Sequence, residues 1–110
     1  MVGKLVLARL PQADEELKTR PALVLRELRP FGDLLLCGVS SQLRQAVVGL
    51  DDIIRPDEDD FAASGLRVAS LIRVGYLGVV PPLRIVGEIG AVSDERYRRV
   101  LQQLSDYLKP

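Results

Sequence analysis

PALVLREL at residues 21–28 and DLLLCGVS at 33–40, joined by RPFGD at 29–33, decide the fold of this 110-residue chain. Both runs have strand length, are rich in Leu and Val, and flank a Pro/Gly turn, so together they predict a β-hairpin. Pro21 opens the first run, where a missing N–H is tolerated. Upstream, KLVLARL (4–10) predicts a first strand, closed by Pro11. PQADEELKTR (11–20) has no apolar periodicity and predicts a long loop, a length at which loops of small domains tend to carry function. Downstream, LRQAVVGL (43–50) predicts another strand, and DEDDFAAS (57–64) a single helical turn ended by Ser64-Gly65. RVASLIRVGYLGVV (67–80) predicts a long or bulged strand with bend points at Gly75 and Gly78. After Pro81-Pro82, LRIVGEIG (83–90) predicts a last short strand.

The period changes after residue 92. Ser93 is a candidate N-cap, with Asp94 and Glu95 in the first turn, where the helix dipole favours acids. Tyr97, Val100, Leu101, Leu104 and Leu108 then form one apolar stripe at helical spacing, with Arg96, Arg98, Arg99, Gln102 and Gln103 on the other faces. Five or six short strands and one terminal helix predict a single, mainly β domain over residues 1–110. Its expected form is a small, partly open β-barrel with a C-terminal α-helix.

The composition removes whole classes of chemistry. With no histidine, the chain cannot use a Ser-His-Asp triad, a paired-histidine ribonuclease site or an imidazole-dependent zinc site. Cys37 is the only cysteine, so an intramolecular disulfide and a cysteine-rich zinc cluster are excluded, and no metal site or cofactor is expected. Flanked by Leu36 and Gly38, Cys37 reads as a buried small hydrophobe, and a free thiol fits a reducing cytoplasm. No apolar run is long enough to span a membrane, and MVGKLVLARLPQ predicts a first strand and not a signal peptide. Fifteen basic and fifteen acidic residues give a net charge of zero. Residues 51–60 hold six of the acids against Arg55 alone, which reads as a solvated acidic loop. The remaining hundred residues are net positive, and twelve of the fifteen basic residues are arginine, the side chain suited to bidentate phosphate contacts.

Lys18-Thr19-Arg20-Pro21-Ala22-Leu23-Val24-Leu25, preceded by a strand and a charged loop, resembles the basic-Arg-Pro-Ala-Leu-Val-Leu signature of the MazF/PemK toxin family. Cys37-Gly38-Val39-Ser40-Ser41-Gln42 sits where that family has a Pro-Ile-Thr-Ser-type strand end. Gly65-Leu66 with Ser70, and Ile89-Gly90-Ala91-Val92-Ser93, are similar to two further family segments in the same order. The resemblance implies an SH3-like barrel of the CcdB/PemK kind and a homodimer. It further implies a metal-independent endoribonuclease toxin that cuts single-stranded RNA and is neutralised by a cognate antitoxin. Family chemistry has the ribose 2′-hydroxyl attack the adjacent phosphate, leaving a 2′,3′-cyclic phosphate and a 5′-hydroxyl.

Carried onto this sequence, the resemblance makes Arg20 and Ser40 the catalytic candidates, Ser40 standing where the family usually has threonine. Lys18, Ser41, Arg44 and Arg73 are the RNA-binding candidates. Guanidinium donors suit a transition state that gathers negative charge on a phosphate. Two positions depart from the pattern: Lys4 follows Gly3 where many members have Asp, and Gly75 stands where several carry a carboxylate two residues after the strand arginine. The second departure keeps other readings open: a non-catalytic barrel that binds protein, as the CcdB toxins bind gyrase, or a divergent member that only binds antitoxin.

Overall fold

The computed structural model describes residues 1–11, 13–14 and 16–110. Its strands are β1 (Lys4–Pro11), β2 (Leu17–Leu28), β3 (Asp33–Ser40), β4 (Asp52–Ile54), β5 (Ser70–Val80) and β6 (Ile85–Ala91). Its α-helices are α1 (Phe61–Ser64) and α2 (Asp94–Leu108). The strands form one antiparallel sheet in the order β4-β5-β3-β2-β1-β6, with β4 and β6 as edges, so the mainly β fold is open and not a closed barrel. No helix among the described residues is long and apolar enough to cross a membrane.

Successive strand residues point to opposite faces, and here both faces are buried. Leu5, Leu23, Leu25, Cys37, Val39, Ile72 and Val74 meet Val100 and Leu104 of α2 on one face. Val6, Ala8, Leu10, Ala22, Val24, Leu34, Leu36 and Val80 form a second cluster on the other. That second cluster contains no helical residue, so the sheet buries this face by curling on itself. An extra residue in β2 contributes to the packing of the first face: pairing runs Val24↔Leu36 and then Arg26↔Leu35, leaving Leu25 bulged. The Tyr97 hydroxyl of α2 donates to the Leu25 carbonyl at 2.7 Å, which satisfies the main chain at the bulge.

Several expectations change. The long loop at 11–20 is half strand: β1 and β2 pair from Leu5↔Leu23 out to Pro11↔Leu17, making a two-stranded arm that projects past the end of β3. Its Gln12 and Glu15 lie outside the described residues. The arm is held by main-chain pairing with exposed polar side chains, so it leaves no apolar signal. Pro21 is inside β2 and not at its start, but it lies beyond the last β2–β3 pair, Ala22↔Gly38, where the strand has a free side. LRQAVVGL is not a strand. Leu43–Gln45 is a 3-10 turn, and Val47, Leu50 and Asp51 close tight turns after it. β5 begins at Ser70 and not at 67, and β4 arises inside the acidic run, where Asp52–Ile54 pairs with Ser70–Ile72.

α2 is capped as expected, the Ser93 hydroxyl accepting the Arg96 N–H at 3.1 Å. Its apolar stripe ends at Leu104, since Leu108 is exposed. Arg96, expected on a solvent face, is 3% exposed, and the acidic run expected to be a solvated loop closes around it. All five guanidinium N–H groups are used: Nε to Asp60 at 2.9 Å, Nη1 to Asp52 at 2.6 Å and the Ile53 carbonyl at 3.1 Å, Nη2 to Glu58 at 2.7 Å and Asp60 at 3.0 Å. Arg99 adds a contact to Asp52 at 3.0 Å. Hydrogen bonds from Arg96 hold the Asp60 carboxyl down to about 2 against the opposing effect of burial. Burial lowers the Arg96 pKa, but its bonds to Asp60, Glu58 and Asp52 outweigh that effect and leave it above the ordinary arginine value. The acidic run is therefore largely an internal counterion for the helix.

Candidate functional site

Three strands lie side by side where β3 ends and β5 begins. Ala22 of β2 pairs with Gly38 of β3, and Gly38 pairs on its other side with Arg73 of β5. Directly opposed residues share a sheet face, as do residues two apart along a strand. Arg20, Ala22, Gly38, Ser40 and Arg73 are thus on the same face as Ala8 and Leu10, the inner face of the curled sheet. Where the strands diverge, that face opens into a cleft of about 520 Å³, lined by Leu10, Pro21, Gly38 and Val39 beneath the polar side chains.

The cleft brings together four of the six residues singled out in the sequence: Arg20, Ser40, Ser41 and Arg73. Lys18 lies further out on the exposed β1–β2 arm, opposite Leu10, and Arg44 lies in the 3-10 turn. Neither lines the cleft. Arg67, Gln42 and Tyr76 do, and sequence reasoning passed over all three. Arg67 follows the α1 turn, whose left-handed Gly65 (φ 74°) redirects the chain toward β5. Its signal in the sequence was only its position beside the Gly65-Leu66 pair.

The polar groups are arranged for an anion. Arg20, Arg67 and Arg73 contribute three guanidiniums to one lining, and no carboxylate lines the cleft among the described residues. None of the three makes an ion pair within 4 Å of an acid among the described residues. Three like charges in one concavity attract a polyanion, and at close range planar guanidiniums fit phosphate oxygens. The Ser40 hydroxyl oxygen accepts the Gln42 N–H at 3.0 Å, which fixes the oxygen and leaves its proton to donate. Ser70 is buried at the cleft floor with its hydroxyl donating to the Val68 carbonyl at 2.8 Å, so it braces the loop carrying Arg67.

Cys37, on the opposite face of β3 from Gly38, is fully buried, and burial pushes its thiol up to about 12. That disfavours the thiolate, and Cys37 does not line the cleft. Gly75, at the position of the missing carboxylate, is exposed and packs against Leu50. No group of three or more His, Cys, Asp and Glu among the described residues is placed to hold a metal ion. Among the described residues, the polar side chains that line the cleft are guanidiniums, hydroxyls, an amide and one phenol.

The fold is similar to that of solved toxin structures. Mycobacterium tuberculosis toxin MazF-mt6 superposes with a TM-score of 0.69 at 17% identity, over 94% of this chain and 93% of that one. A mycobacterial endoribonuclease solved in complex with its cognate antitoxin superposes at 0.73 with 11% identity, over 98% of this chain and 93% of that one. At such identities the likeness speaks for the fold alone. No curated protein sequence matches the chain. A family model does, over residues 1–108, which takes in the Arg-Pro strand, both glycine-bearing segments and the helix. The chain belongs to the PemK-like, MazF-like toxins of type II toxin–antitoxin systems.

Proposed function

We propose that the protein is an endoribonuclease toxin that binds single-stranded RNA in the cleft and cuts it without a metal ion. The observation that carries this reading is the gathering of Arg20, Arg67, Arg73 and Ser40 in a cleft that no carboxylate lines among the described residues, within a chain of this toxin family. Arg20 holds the scissile phosphate, Ser40 donates to a non-bridging oxygen, and Arg73 takes a second phosphate contact. The ribose 2′-oxygen forms a bond to phosphorus while the bond to the 5′-oxygen breaks. The 2′-hydroxyl proton leaves to solvent, and the departing 5′-oxygen takes a proton from solvent. Products are a 2′,3′-cyclic phosphate and a 5′-hydroxyl. With no carboxylate in the lining among the described residues, charge stabilisation and positioning supply most of the acceleration.

A cognate antitoxin is the expected protein partner, and a second copy of the chain the expected oligomeric one. The known antitoxin complex of a structural neighbour supports the first. The lack of a carboxylate at Gly75 favours a second reading, a family member that binds antitoxin but does not cut. One assay separates them. Purified protein is incubated with a long, weakly structured RNA in EDTA, and new ends are mapped and their chemistry determined. Site-specific cyclic-phosphate ends that fall about 100-fold or more in Arg20→Ala are expected, as for the loss of one charge-stabilising donor. Intact RNA after hours with folded, antitoxin-free protein overturns the ribonuclease reading.

A further inference from the structure

Between β3 and β5 the register jumps: Gly38 pairs with Arg73, but the next pair is Cys37 with Leu77. Val74, Gly75 and Tyr76 are therefore extra residues on β5. Val74 turns into the core, and its N–H, without a β3 partner, donates to Asp51 at 3.0 Å. Tyr76 turns the other way and folds back over β3. A Cβ on Gly38 would stand 2.8 Å from Tyr76 Cδ2, so the ring occupies the space that only a glycine leaves open. From that seat the ring meets Arg73, whose Cζ lies 4.8 Å from the ring centroid, inside cation–π range.

We infer that Tyr76 is a positioning residue for Arg73: seated on Gly38 by the β5 bulge, its ring holds the guanidinium over the cleft, ready for a phosphate. The inference rests on the ribonuclease reading only for its substrate class. Arginine is a long, many-rotamer side chain, and Arg73 is only half-buried. Ordering it before the ligand arrives removes part of the entropy cost of binding. No ion pair of Arg73 with an acid accompanies the ring contact among the described residues, and a ring, unlike a carboxylate, accepts none of its N–H groups in a conventional hydrogen bond. A carboxylate partner would order the side chain equally well but would neutralise it.

The test is a double-mutant cycle read by two assays: anisotropy with a fluorescent, 2′-O-methylated, mixed-sequence RNA that cannot be cut, and cleavage of unmodified RNA below saturation. Tyr76→Phe keeps the ring and is expected to recover in the anisotropy assay most of the binding that Tyr76→Leu loses. Tyr76→Leu is expected to weaken RNA binding about fivefold, the equivalent of ~1 kcal/mol of cation–π contact. Gly38→Ala, which displaces the ring while leaving the Arg73 side chain in place on the facing strand, is expected to give the same loss, and no more when combined with Tyr76→Leu. In an Arg73→Ala background Tyr76→Leu is expected to have no effect, because nothing remains to position. Equal affinity of Tyr76→Leu and parent overturns the inference, and so does a Tyr76→Leu loss that persists without Arg73, which would make the tyrosine an RNA contact in its own right. Parent protein that binds RNA with this coupling but leaves it intact overturns the ribonuclease reading and keeps the inference. Parent protein that binds no RNA at low salt overturns both.

Discussion

Replacing Arg96 with methionine removes five hydrogen bonds from a buried guanidinium and leaves Asp60, 9% exposed, with Ser93 as its remaining partner among the described residues, through its N–H at 2.9 Å and its hydroxyl. Asp52 keeps Arg99, and Glu58 is exposed enough for water to take over. The cost is therefore dominated by one stranded carboxylate, about 3–5 kcal/mol for a broken buried pair. Against a total of about 5–15 kcal/mol for a domain of this size, the loss is large. The pH dependence gives an independent check. Asp60 is held down to about 2 in the folded chain, so its contribution of ~2 kcal/mol is present above the ordinary carboxylate value near 4 and is lost as pH falls through 2. In Arg96→Met the stranded acid is easier to protonate, so acid relieves the variant while it weakens the parent. Urea denaturation of both proteins from pH 7 down to 2.5 is expected to show a gap widest at pH 7 and closing in acid. A cost under 1 kcal/mol at pH 7, or one unchanged at pH 2.5, refutes the assignment of Arg96 as the buried counterion of the acidic run.

Arg96→Lys offers three donors for five acceptors and is expected to recover only part of the loss in the same denaturation series. Gly65→Ala places a Cβ against the Ile89 carbonyl at a left-handed φ of 74°, and is expected to cost on the order of 2 kcal/mol or more by urea midpoint. Cys37, with its thiol pushed up to about 12, is expected to resist iodoacetamide at pH 8 in the folded protein and to react within minutes in denaturant, followed by mass shift. Arg20→Ala is expected to leave the urea midpoint within about 0.5 kcal/mol of the parent, since the side chain is exposed and unpaired with any acid among the described residues.

The elements that the sequence revealed are those whose signal is local. The 21–40 hairpin carries uninterrupted apolar runs around a turn, and α2 announces itself by its cap and stripe. The β1–β2 arm does not, because Leu17–Arg20 is held through main-chain pairing with exposed side chains. Arg96 was misplaced because a charged residue off the apolar stripe is ordinarily solvated. Its partners lie 36 to 44 residues away, and nothing in the helix itself points to them. The cleft divides along the same line. Arg20, Ser40, Ser41 and Arg73 were reached through motif resemblance, and the topology brings them together. Arg67 comes in only because Gly65 turns the chain, and Tyr76 only because three extra residues swing its ring across a strand.

The backbone contact between the α1 turn and β6 has a consequence for how the cleft meets a ligand. Gly65 lies against Ile89, and Gly90 against Ala63 and Ser64, each so close that a side chain on either glycine would force the two segments apart. The wall that carries Arg67 is thus clamped at its root. The opposite wall, carrying Arg20, hangs from an arm paired along one side only. A polyanion entering between them would meet one wall locked by backbone contact and one held by a single ladder. On the ribonuclease reading, the clamped wall is the one expected to hold a nucleotide chain in register, and the singly paired wall the one expected to follow its shape.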